Sequence, residues 1–216
     1  RQYFELYVQR DVRTVVDVGD LNQFTDFVKL CAGRAGQLLN LSSLAGDCGI
    51  SNTTAQRWIS LLETSFIVYR LRPYYKNFSK RIIKSPKLYF YDTGLLCYLL
   101  GIKQPEEIRF SLYRGSIFEC FVISEFIKNA HNKNEDPGVY FFRDSSGNEV
   151  DLIVENGTKL IPVEIKSSET FNTNFVKGIN YWSKLTGDQH AEKFVIYGGK
   201  QKMKYKGVNI VPAAML

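Results

Sequence analysis

The sequence is poor in the side chains on which many catalytic and metal sites depend. It has two histidines, His131 and His190, and both stand in polar stretches. A histidine-based catalytic triad or zinc site is therefore not expected. Its four cysteines are scattered through apolar contexts with no C-x-x-C pair. We expect reduced core thiols, as in an intracellular protein, rather than disulfides or zinc ligands.

Patterns that would fix a location or a nucleotide site are also missing. No apolar run is long enough to cross a membrane, and no charged-then-apolar leader with a cleavage site is present. We therefore expect a cytoplasmic protein without a membrane partner. No G-x-x-x-x-G-K-[ST] occurs, so no P-loop is expected in this chain. The sequence opens with Arg1-Gln2-Tyr3-Phe4 and no initiator Met, which suits a fragment of a longer protein.

Apolar and basic residues, by contrast, are plentiful. Hydrophobic residues make up 44% of the 216 residues and aromatic residues 14%, enough for the cores of one or two domains. Lys and Arg number 28 against 22 Asp and Glu, a formal net charge of +6. A basic balance of this kind favours a polyanionic partner such as DNA.

The most informative stretch, residues 149–166, predicts a β-hairpin. Two runs rich in β-branched residues flank Asn156-Gly157. This dipeptide is favoured in two-residue turns because both turn positions need a positive φ. The predicted cross-strand pairs are Glu155 with Thr158, Asp151 with Pro162, and Glu149 with Glu164.

Alternation along these strands separates an apolar face from a charged face. The apolar face contains Val150, Leu152, Val154, Ile161, Val163 and Ile165. The charged face contains Asp151, Glu164 and Lys166, with Glu149 and Glu155 beside them. Asp151 and Glu164 become diagonal neighbours about 7–8 Å apart at the backbone, so their carboxylates can converge on one cation. A merely solvated charged face is the alternative, but the excess of acids over bases favours a cation site.

Residues 37–75 predict a helix-turn-helix. An apolar helix ends near Gly49, and Ser51 is a candidate N-cap for a second helix. The first helix contains Leu38, Leu39, Leu41 and Leu44, and the second buries Ala55, Trp58, Ile59 and Leu62. The outward residues near the start of the second helix are Asn52, Thr53, Gln56 and Arg57. We predict that these four contact DNA, because base edges are usually read from this part of the helix.

A strand, a basic loop and a returning strand complete a predicted winged helix. The strands cover Phe66–Leu71 and Lys87–Tyr91, and residues 76–87 contain five basic residues and no acid. We predict that Lys76, Lys80, Arg81 and Lys84 contact DNA phosphates. The alternative is a winged helix used for protein packing, with a solvated basic loop.

Helical periodicity also predicts a helix over residues 115–128 that is apolar nearly all round. Glu119 falls among its apolar residues, where a carboxylate is costly to bury unless it is paired or bound to a cation. Glu125 is placed in almost the same way, and the helical wheel does not choose between the two. The other predicted elements are a helix around Tyr3–Tyr7, a helix from about Leu21, a short helix from Asp92 to Gly101, another short helix opening at Pro105, strands at 139–143, 193–197 and 208–212, and a helix over 171–185.

Asp151 followed after a turn by Glu164-x-Lys166 resembles the PD-(D/E)XK nuclease superfamily, with Val150 in the place of its proline. The resemblance implies an α/β core with a mixed sheet, Mg²⁺ (or Mn²⁺) held by Asp151 and Glu164, and an attacking water positioned by Lys166. It also selects Glu119 over Glu125 as an acid that supports the metal. The implied catalytic residues are Glu119, Asp151, Glu164 and Lys166, and the first three are the implied metal ligands.

Several blocks in order resemble, more specifically, the C-terminal region of prokaryotic AAA-type ATPases. These blocks are Tyr7-x-x-Arg10-Asp11-Val12, Asp47-x-Gly49-Ile50-Ser51-x-Thr53-Thr54-Ala55, Lys87-Leu88-Tyr89-x-x-Asp92-Thr93-Gly94-Leu95, Gly115-x-x-Phe118-Glu119 and Glu149-Val150-Asp151 with Val163-Glu164-Ile165-Lys166. The resemblance implies a helical tail of an ATPase module at 1–35, a winged helix at 36–101 and a nuclease-like domain at 102–216. ATP would bind only to the upstream ATPase domain, which this chain lacks.

Two functions are therefore expected from different classes. One is a Mg²⁺-dependent DNA nuclease domain, α/β within an α+β chain, which works with a winged helix and an upstream ATPase domain. The other is a non-catalytic regulatory module that binds DNA or protein and retains the nuclease fold as a remnant. Homo-oligomerisation is left open by the sequence.

Overall fold

The computed structural model describes Leu6 and residues 21–75, 82–188 and 191–216. Within these ranges the chain is α+β, as predicted, with helices, a two-stranded sheet and a six-stranded mixed sheet. The helix predicted around Tyr3 and Tyr7 falls almost entirely outside the described residues. Among the helices described, none has the length and apolar composition needed to cross a membrane.

The secondary-structure elements follow one another in this order. The helices are α1 (Leu21–Gly33), α2 (Leu41–Cys48), α3 (Asn52–Thr64), α4 (Thr93–Leu99), α5 (Arg114–Asn132) and α6 (Lys177–Thr186). The strands are β1 (Val68–Leu71), β2 (Lys87–Phe90), β3 (Val139–Arg143), β4 (Glu149–Asn156), β5 (Lys159–Lys166), β6 (Phe194–Tyr197), β7 (Met203–Tyr205) and β8 (Val208–Pro212). Short 3-10 helices cover Pro105–Phe110, Thr173–Val176 and Ala213–Met215.

The chain divides into two compact units. The first contains the described part of Arg1–Arg70 together with Lys87–Cys120, and the second contains the described part of Leu71–Pro86 together with Phe121–Leu216. The division departs from the predicted domain boundaries at residues 102–120, which belong to the first unit, and at residues 71–86. The latter segment connects β1 to β2 in sequence, yet it belongs to the second unit.

The core of the first unit forms where α1 and α3 place aromatic side chains together. Phe24 and Phe27 each pack edge-on against Trp58, with ring centroids 5.2 Å apart. The helix predicted from Leu38 begins later, at Leu41, because Asn40 caps it by accepting a hydrogen bond from the Ser43 N–H. Leu38 instead pairs with Lys87 in an isolated β-bridge.

Helix α3 begins and packs as the sequence predicts. Ser51 Oγ accepts a hydrogen bond from the Thr54 N–H at 3.0 Å and so caps the helix. The four predicted core residues of this helix, Ala55, Trp58, Ile59 and Leu62, are all buried. The following strand starts two residues later than predicted, because Phe66 has a φ of 54° and lies in a turn with its side chain exposed.

The six-stranded sheet of the second unit has the order β3-β4-β5-β6-β8-β7. Strands β3, β4 and β5 are antiparallel neighbours, whereas β6 runs parallel to both β5 and β8. Strand β7 was not predicted from the sequence. It pairs antiparallel with β8 at the sheet edge. Both residues of the β7–β8 turn, Lys206 and Gly207, have positive φ, as a type I′ hairpin turn requires.

The β4–β5 hairpin is real, but its predicted register is wrong by two residues. Asn156 pairs with Lys159, so the two-residue loop is Gly157-Thr158 rather than Asn156-Gly157. Gly157 has a φ of 61° and Thr158 does not have a positive φ, which suits a type II′ turn with glycine first. As a result Pro162 faces Ile153 and not Asp151. A shift of two residues keeps every β5 side chain on its predicted face.

Helix α6 covers one face of this sheet. One cluster beneath the helix joins Ile179 and Val176 to Val195, Tyr197, Val208 and Ile210. A second joins Trp182 to Val150, Ile153, Phe142 and Tyr74. The helix is shorter than the predicted 171–185 span, because its first part is a separate 3-10 turn over Thr173–Val176.

The segment predicted to be the DNA-binding wing pairs with the outer edge of β3. Tyr74 N–H donates to the Phe141 carbonyl at 2.7 Å, and Ile83 N–H donates to the Arg143 carbonyl at 3.1 Å. Isolated bridges join Pro73 to Phe141 and Ile82 to Asp144. The described ends of this loop are therefore part of the second unit's sheet, because the unpaired edge of β3 offers backbone hydrogen bonds that a free wing would leave to water.

The four cysteines are free thiols. Cys31 and Cys120 are buried, as predicted, whereas Cys48 and Cys97 are only half-buried. Burial raises the pKa of the Cys120 thiol to about 12. The two buried thiols therefore act as small apolar core residues.

Candidate carboxylate and lysine site

A β-bulge in β4 sets the position of Asp151. Between the pairs Phe142–Val150 and Tyr140–Ile153, β3 advances two residues while β4 advances three. The extra residue puts Val150 and Ile153 in the same core cluster, so Val150 does not share the face predicted for it with Leu152. Bulges re-aim side chains and are frequent beside active sites.

Asp151, Glu164 and Lys166 are brought together at one end of the sheet. Lys166 Nζ lies 3.0 Å from Asp151 Oδ2 and 2.8 Å from Glu164 Oε1. Asp151 Oδ2 also accepts the Ile165 N–H at 2.8 Å. The three side chains are 13%, 11% and 32% exposed in the order Asp151, Glu164, Lys166, so they are shielded but reachable.

Strand alternation explains why Glu164 and Lys166 meet on the face that carries α6. Glu164 pairs with Val195 and Lys166 with Tyr197, and both of these partners belong to the core cluster under α6. The first turn of α6 approaches the site closely at Gly178. A Cβ at Gly178 would lie 2.3 Å from the Glu149 carbonyl oxygen and 3.0 Å from Glu164 Oε2.

The second carboxylate oxygen of Glu164, Oε2, is a buried hydrogen-bond acceptor. Oε2 has no hydrogen-bond partner among the residues that the structure describes. Burial of an unpaired carboxylate oxygen costs free energy unless a proton, a cation or a donor satisfies it. This atom is therefore available to a proton, a water or a cation.

This crowding raises the pKa of both Glu164 and Lys166. Burial, followed by the charge of Asp151, raises the pKa of Glu164 to about 8. Burial lowers the pKa of Lys166, but the charges of Asp151 and Glu164 outweigh burial and raise it overall. Burial and the neighbouring carboxylate thus favour the protonated form of Glu164, whereas the two carboxylates favour the charged form of Lys166.

The oxygen donors fit Mg²⁺ or Mn²⁺. Both are hard cations that accept carboxylate oxygens, and Mg²⁺ commonly uses one or two carboxylates and keeps several waters. Within the described ranges no group of three or more His, Cys, Asp or Glu side chains is arranged to hold a metal. A site built on Asp151 and Glu164 would therefore depend on water and substrate oxygens for the remaining positions.

Glu119, the third predicted metal ligand, is placed in the first unit. Its carboxylate accepts hydrogen bonds from Lys87 Nζ at 3.3 Å and from the Tyr89 hydroxyl at 2.5 Å. Glu125, the alternative acid on the same helix, forms an exposed ion pair with Lys128 at 3.1 Å. The metal-supporting role of Glu119 stays a prediction, and its observed partners give it a structural one.

The predicted DNA-binding residues divide into two sets. Asn52, Thr53, Gln56 and Arg57 are all exposed on the first two turns of α3, opposite its buried stripe. Lys84 is exposed in the segment that pairs with β3, whereas Lys76, Lys80 and Arg81 lie outside the described residues. Lys87, which the sequence placed in the same basic loop, is instead buried against Glu119.

Asp144 is a buried residue near the site that the sequence analysis missed. Its carboxylate accepts hydrogen bonds from the Ser146 and Asn148 N–H groups, the Asn148 side chain and the Tyr181 hydroxyl. These bonds tie the β3–β4 loop to α6. The D-S-S-G-N composition of that loop was the available signal, because a leading aspartate commonly closes such turns through its side chain.

The metal-free chain is expected to lose stability as the pH rises from about 4.5 to about 8. Burial raises the pKa of Glu164 from 4.5 to about 8 in the folded state. Over this interval the folded chain holds a proton that the unfolded chain has released, so a rise in pH favours unfolding. Thermal melts in EDTA across this range measure the effect.

Glu164→Gln is the control for this pH dependence, because glutamine cannot titrate. Its melting temperature should vary less over the same interval than that of the wild type. If the variant fell as steeply as the wild type, other groups would be responsible.

Two family models match consecutive parts of the chain. Residues 1–106 match the Domain of unknown function DUF8612, and residues 114–216 match the Domain of unknown function DUF4143. The latter is a domain found in C-terminal regions associated with AAA ATPases. The predicted relation to such C-terminal regions is confirmed at this level.

Two curated mycobacterial proteins are similar to most of the chain. One is an uncharacterized protein of Mycobacterium tuberculosis H37Rv and the other an uncharacterized protein of Mycobacterium bovis. Each is 34% identical over 167 residues, which is 77% of this chain and 36% of the relative. The chain therefore spans about a third of the length of these relatives.

Proposed function

We propose that the second unit is a PD-(D/E)XK-type, Mg²⁺-dependent DNA nuclease domain that hydrolyses phosphodiester bonds. The observation that carries the proposal is the convergence of Lys166 on both carboxylates, with one buried oxygen of Glu164 left over. An ordinary solvated charged face would not bury an acid in this way. Mn²⁺ would serve in the same place.

The side chains take separate roles in this reaction. Asp151 and Glu164 would hold the cation, which when bound eases ionisation of water and offsets charge on the phosphodiester. The Ile165 N–H fixes Asp151 in place. The Lys166 ammonium donates to the attacking water and orients its oxygen toward phosphorus. The water gives up one proton to solvent as its oxygen bonds to phosphorus, the bond to one ester oxygen breaks, and the departing oxygen takes up a proton from solvent.

The wider setting of the proposal follows from the relation to AAA-associated C-terminal regions. In the full-length protein an upstream domain would bind and hydrolyse ATP, and this chain would act on DNA in the cytoplasm. The first unit supports a winged-helix assignment, because α1, α2 and α3 precede the two strands β1 and β2, and Leu38 pairs with Lys87.

Metal titration by calorimetry is the first test. Wild type is expected to bind Mg²⁺ or Mn²⁺, and Glu164→Ala to lose that binding. Glu155→Gln is the matched control on the same hairpin, because Glu155 stands at the far end of β4. A wild type that binds neither metal at millimolar concentration, with or without DNA, would overturn the proposed site.

Cleavage of plasmid DNA is the second measurement on the same proteins. Asp151→Asn and Lys166→Met are expected to abolish metal-dependent nicking, since removal of one charge-stabilising group typically costs about 10²–10³ in rate. If both variants cleaved as well as the wild type, the activity would not belong to this site.

A second candidate function rests on α3. Its exposed polar residues Asn52, Thr53, Gln56 and Arg57 suit DNA binding by a non-catalytic module, with the acidic site kept as a remnant. This candidate expects DNA binding that weakens steeply with salt, survives Asp151→Asn and is lost in Arg57→Ala. DNA binding that is unchanged in Arg57→Ala would rule out this second candidate function.

A further inference from the structure

We propose that the edge segment, defined as residues 71–75 and 82–86, holds the sugar–phosphate backbone of DNA beside the carboxylate and lysine site. The inference deepens the proposed nuclease function and rests on it for the identity of the substrate. It reassigns the basic loop between β1 and β2 from a wing that serves α3 to a part of the unit that carries the site.

The first support is the way in which the edge segment is fixed. Arg72 accepts the Phe141 N–H through its carbonyl, and Tyr74 donates to the Phe141 carbonyl. Ile83 donates to the Arg143 carbonyl, and Ile82 bridges to Asp144. Backbone pairing on both parts of the segment therefore sets the places from which its side chains project.

The second support is the end of the sheet at which the segment returns. Ile82 and Ile83 lie beside Asp144 and Arg143, at the end of β3. Arg143 pairs with Glu149 at the start of the antiparallel strand β4, two residues before Asp151. Strand β5 is antiparallel to β4, so Glu164 and Lys166 lie at the same end.

The third support is charge. Residues 71–86 contain five basic residues, Arg72, Lys76, Lys80, Arg81 and Lys84, and no acid. The two that are described, Arg72 and Lys84, are exposed. Within the described ranges, neither side chain has a hydrogen bond or an ion pair. Basic side chains with no acid in their own segment, on an edge paired to the unit that carries a site for a phosphodiester, suit the phosphates of a nucleic-acid backbone.

The test is the salt dependence of DNA binding by the whole chain in EDTA, measured by fluorescence anisotropy with a labelled duplex. The double variant Arg72→Gln with Lys84→Gln is expected to bind more weakly than wild type. Its slope of log K against log salt should be shallower by about 1.8, since each phosphate contact contributes about 0.9.

A charge-matched control separates this surface from net charge. Lys204 and Lys206 are exposed on the opposite edge strand and the turn that follows it. Lys204→Gln with Lys206→Gln should leave the slope close to that of wild type. Equal slopes for the two double variants would overturn the proposal, as would stronger binding of poly-glutamate than of DNA by the wild type.

The test of DNA binding by the edge segment is independent of the test of metal binding at the carboxylate and lysine site. Calorimetric metal binding should be unchanged in the Arg72 and Lys84 variant, because neither residue contacts Asp151 or Glu164 in the described structure. If the wild type bound no metal, only the proposed nuclease function would be rejected. The salt slope, which is measured without metal, would still decide whether the edge segment binds DNA.

Discussion

Glu119→Ala is expected to lower the free energy of unfolding by about 3–5 kcal/mol, the usual cost of removing one partner from a buried ion pair. Glu119 accepts from Lys87 and from the Tyr89 hydroxyl. The Lys87 side chain is only 5% exposed, so the substitution leaves a buried ammonium without that carboxylate. Urea unfolding followed by circular dichroism measures the loss.

The same helix supplies a matched control. Glu125 pairs with Lys128 three residues later, but both side chains are nearly half exposed. Glu125→Ala should therefore cost less than about 1 kcal/mol. The pair Glu119→Leu with Lys87→Met should recover most of the loss, because an apolar pair of similar volume avoids the buried charges. Equal costs for Glu119→Ala and Glu125→Ala would show that burial of the ion pair is not the cause.

This contrast also explains what the helical wheel left open. The apolar pattern of α5 placed both Glu119 and Glu125 among apolar residues. Helical periodicity therefore could not tell the two acids apart. What distinguishes them is a residue far away in sequence, since Lys87 arrives from β2. A pattern local to one helix carries no information about a partner 32 residues earlier.

The hairpin shows why the strand face of Glu164 and Lys166 could be predicted while the register and the bulge could not. Side chains alternate with period two, so Glu164 and Lys166 stay on one face in any register shifted by an even number. The turn was misplaced because Asn-Gly and Gly-Thr both offer a glycine at a positive φ. The bulge at Asp151 was missed because it depends on pairing with β3, and nothing in the β4 sequence marks the extra residue.

The pairing of the basic loop with β3 could not be predicted for a similar reason. The composition of the loop predicted a cationic segment between two strands, and its described ends connect to β1 and β2. Its partner, the open edge of β3, lies more than fifty residues away in sequence and provides hydrogen bonds through its backbone. Backbone pairing of this kind leaves little trace in side-chain composition, so the unit to which the loop belongs could not be derived from the sequence.

Gly178→Ala is expected to destabilise the chain and to disturb the carboxylate and lysine site together. The added Cβ would stand 2.3 Å from the Glu149 carbonyl oxygen and 3.0 Å from Glu164 Oε2. The first neighbour is backbone and cannot rotate away, so α6 or β4 must shift. Overpacking of this kind typically costs about 1–3 kcal/mol and occasionally more. Urea unfolding and the calorimetric metal titration on the same protein measure both effects.

Gly46→Ala is the control with the opposite expected sign. Gly46 also lies in a helix, but a Cβ there would meet nothing within 4 Å. Alanine should stabilise α2 by about 0.5–1 kcal/mol, because it reduces the backbone entropy lost on folding. If Gly178→Ala also stabilised the chain, the first turn of α6 would be able to shift away from Glu164 without cost. The close approach of its first turn would then not be what confines the buried carboxylate.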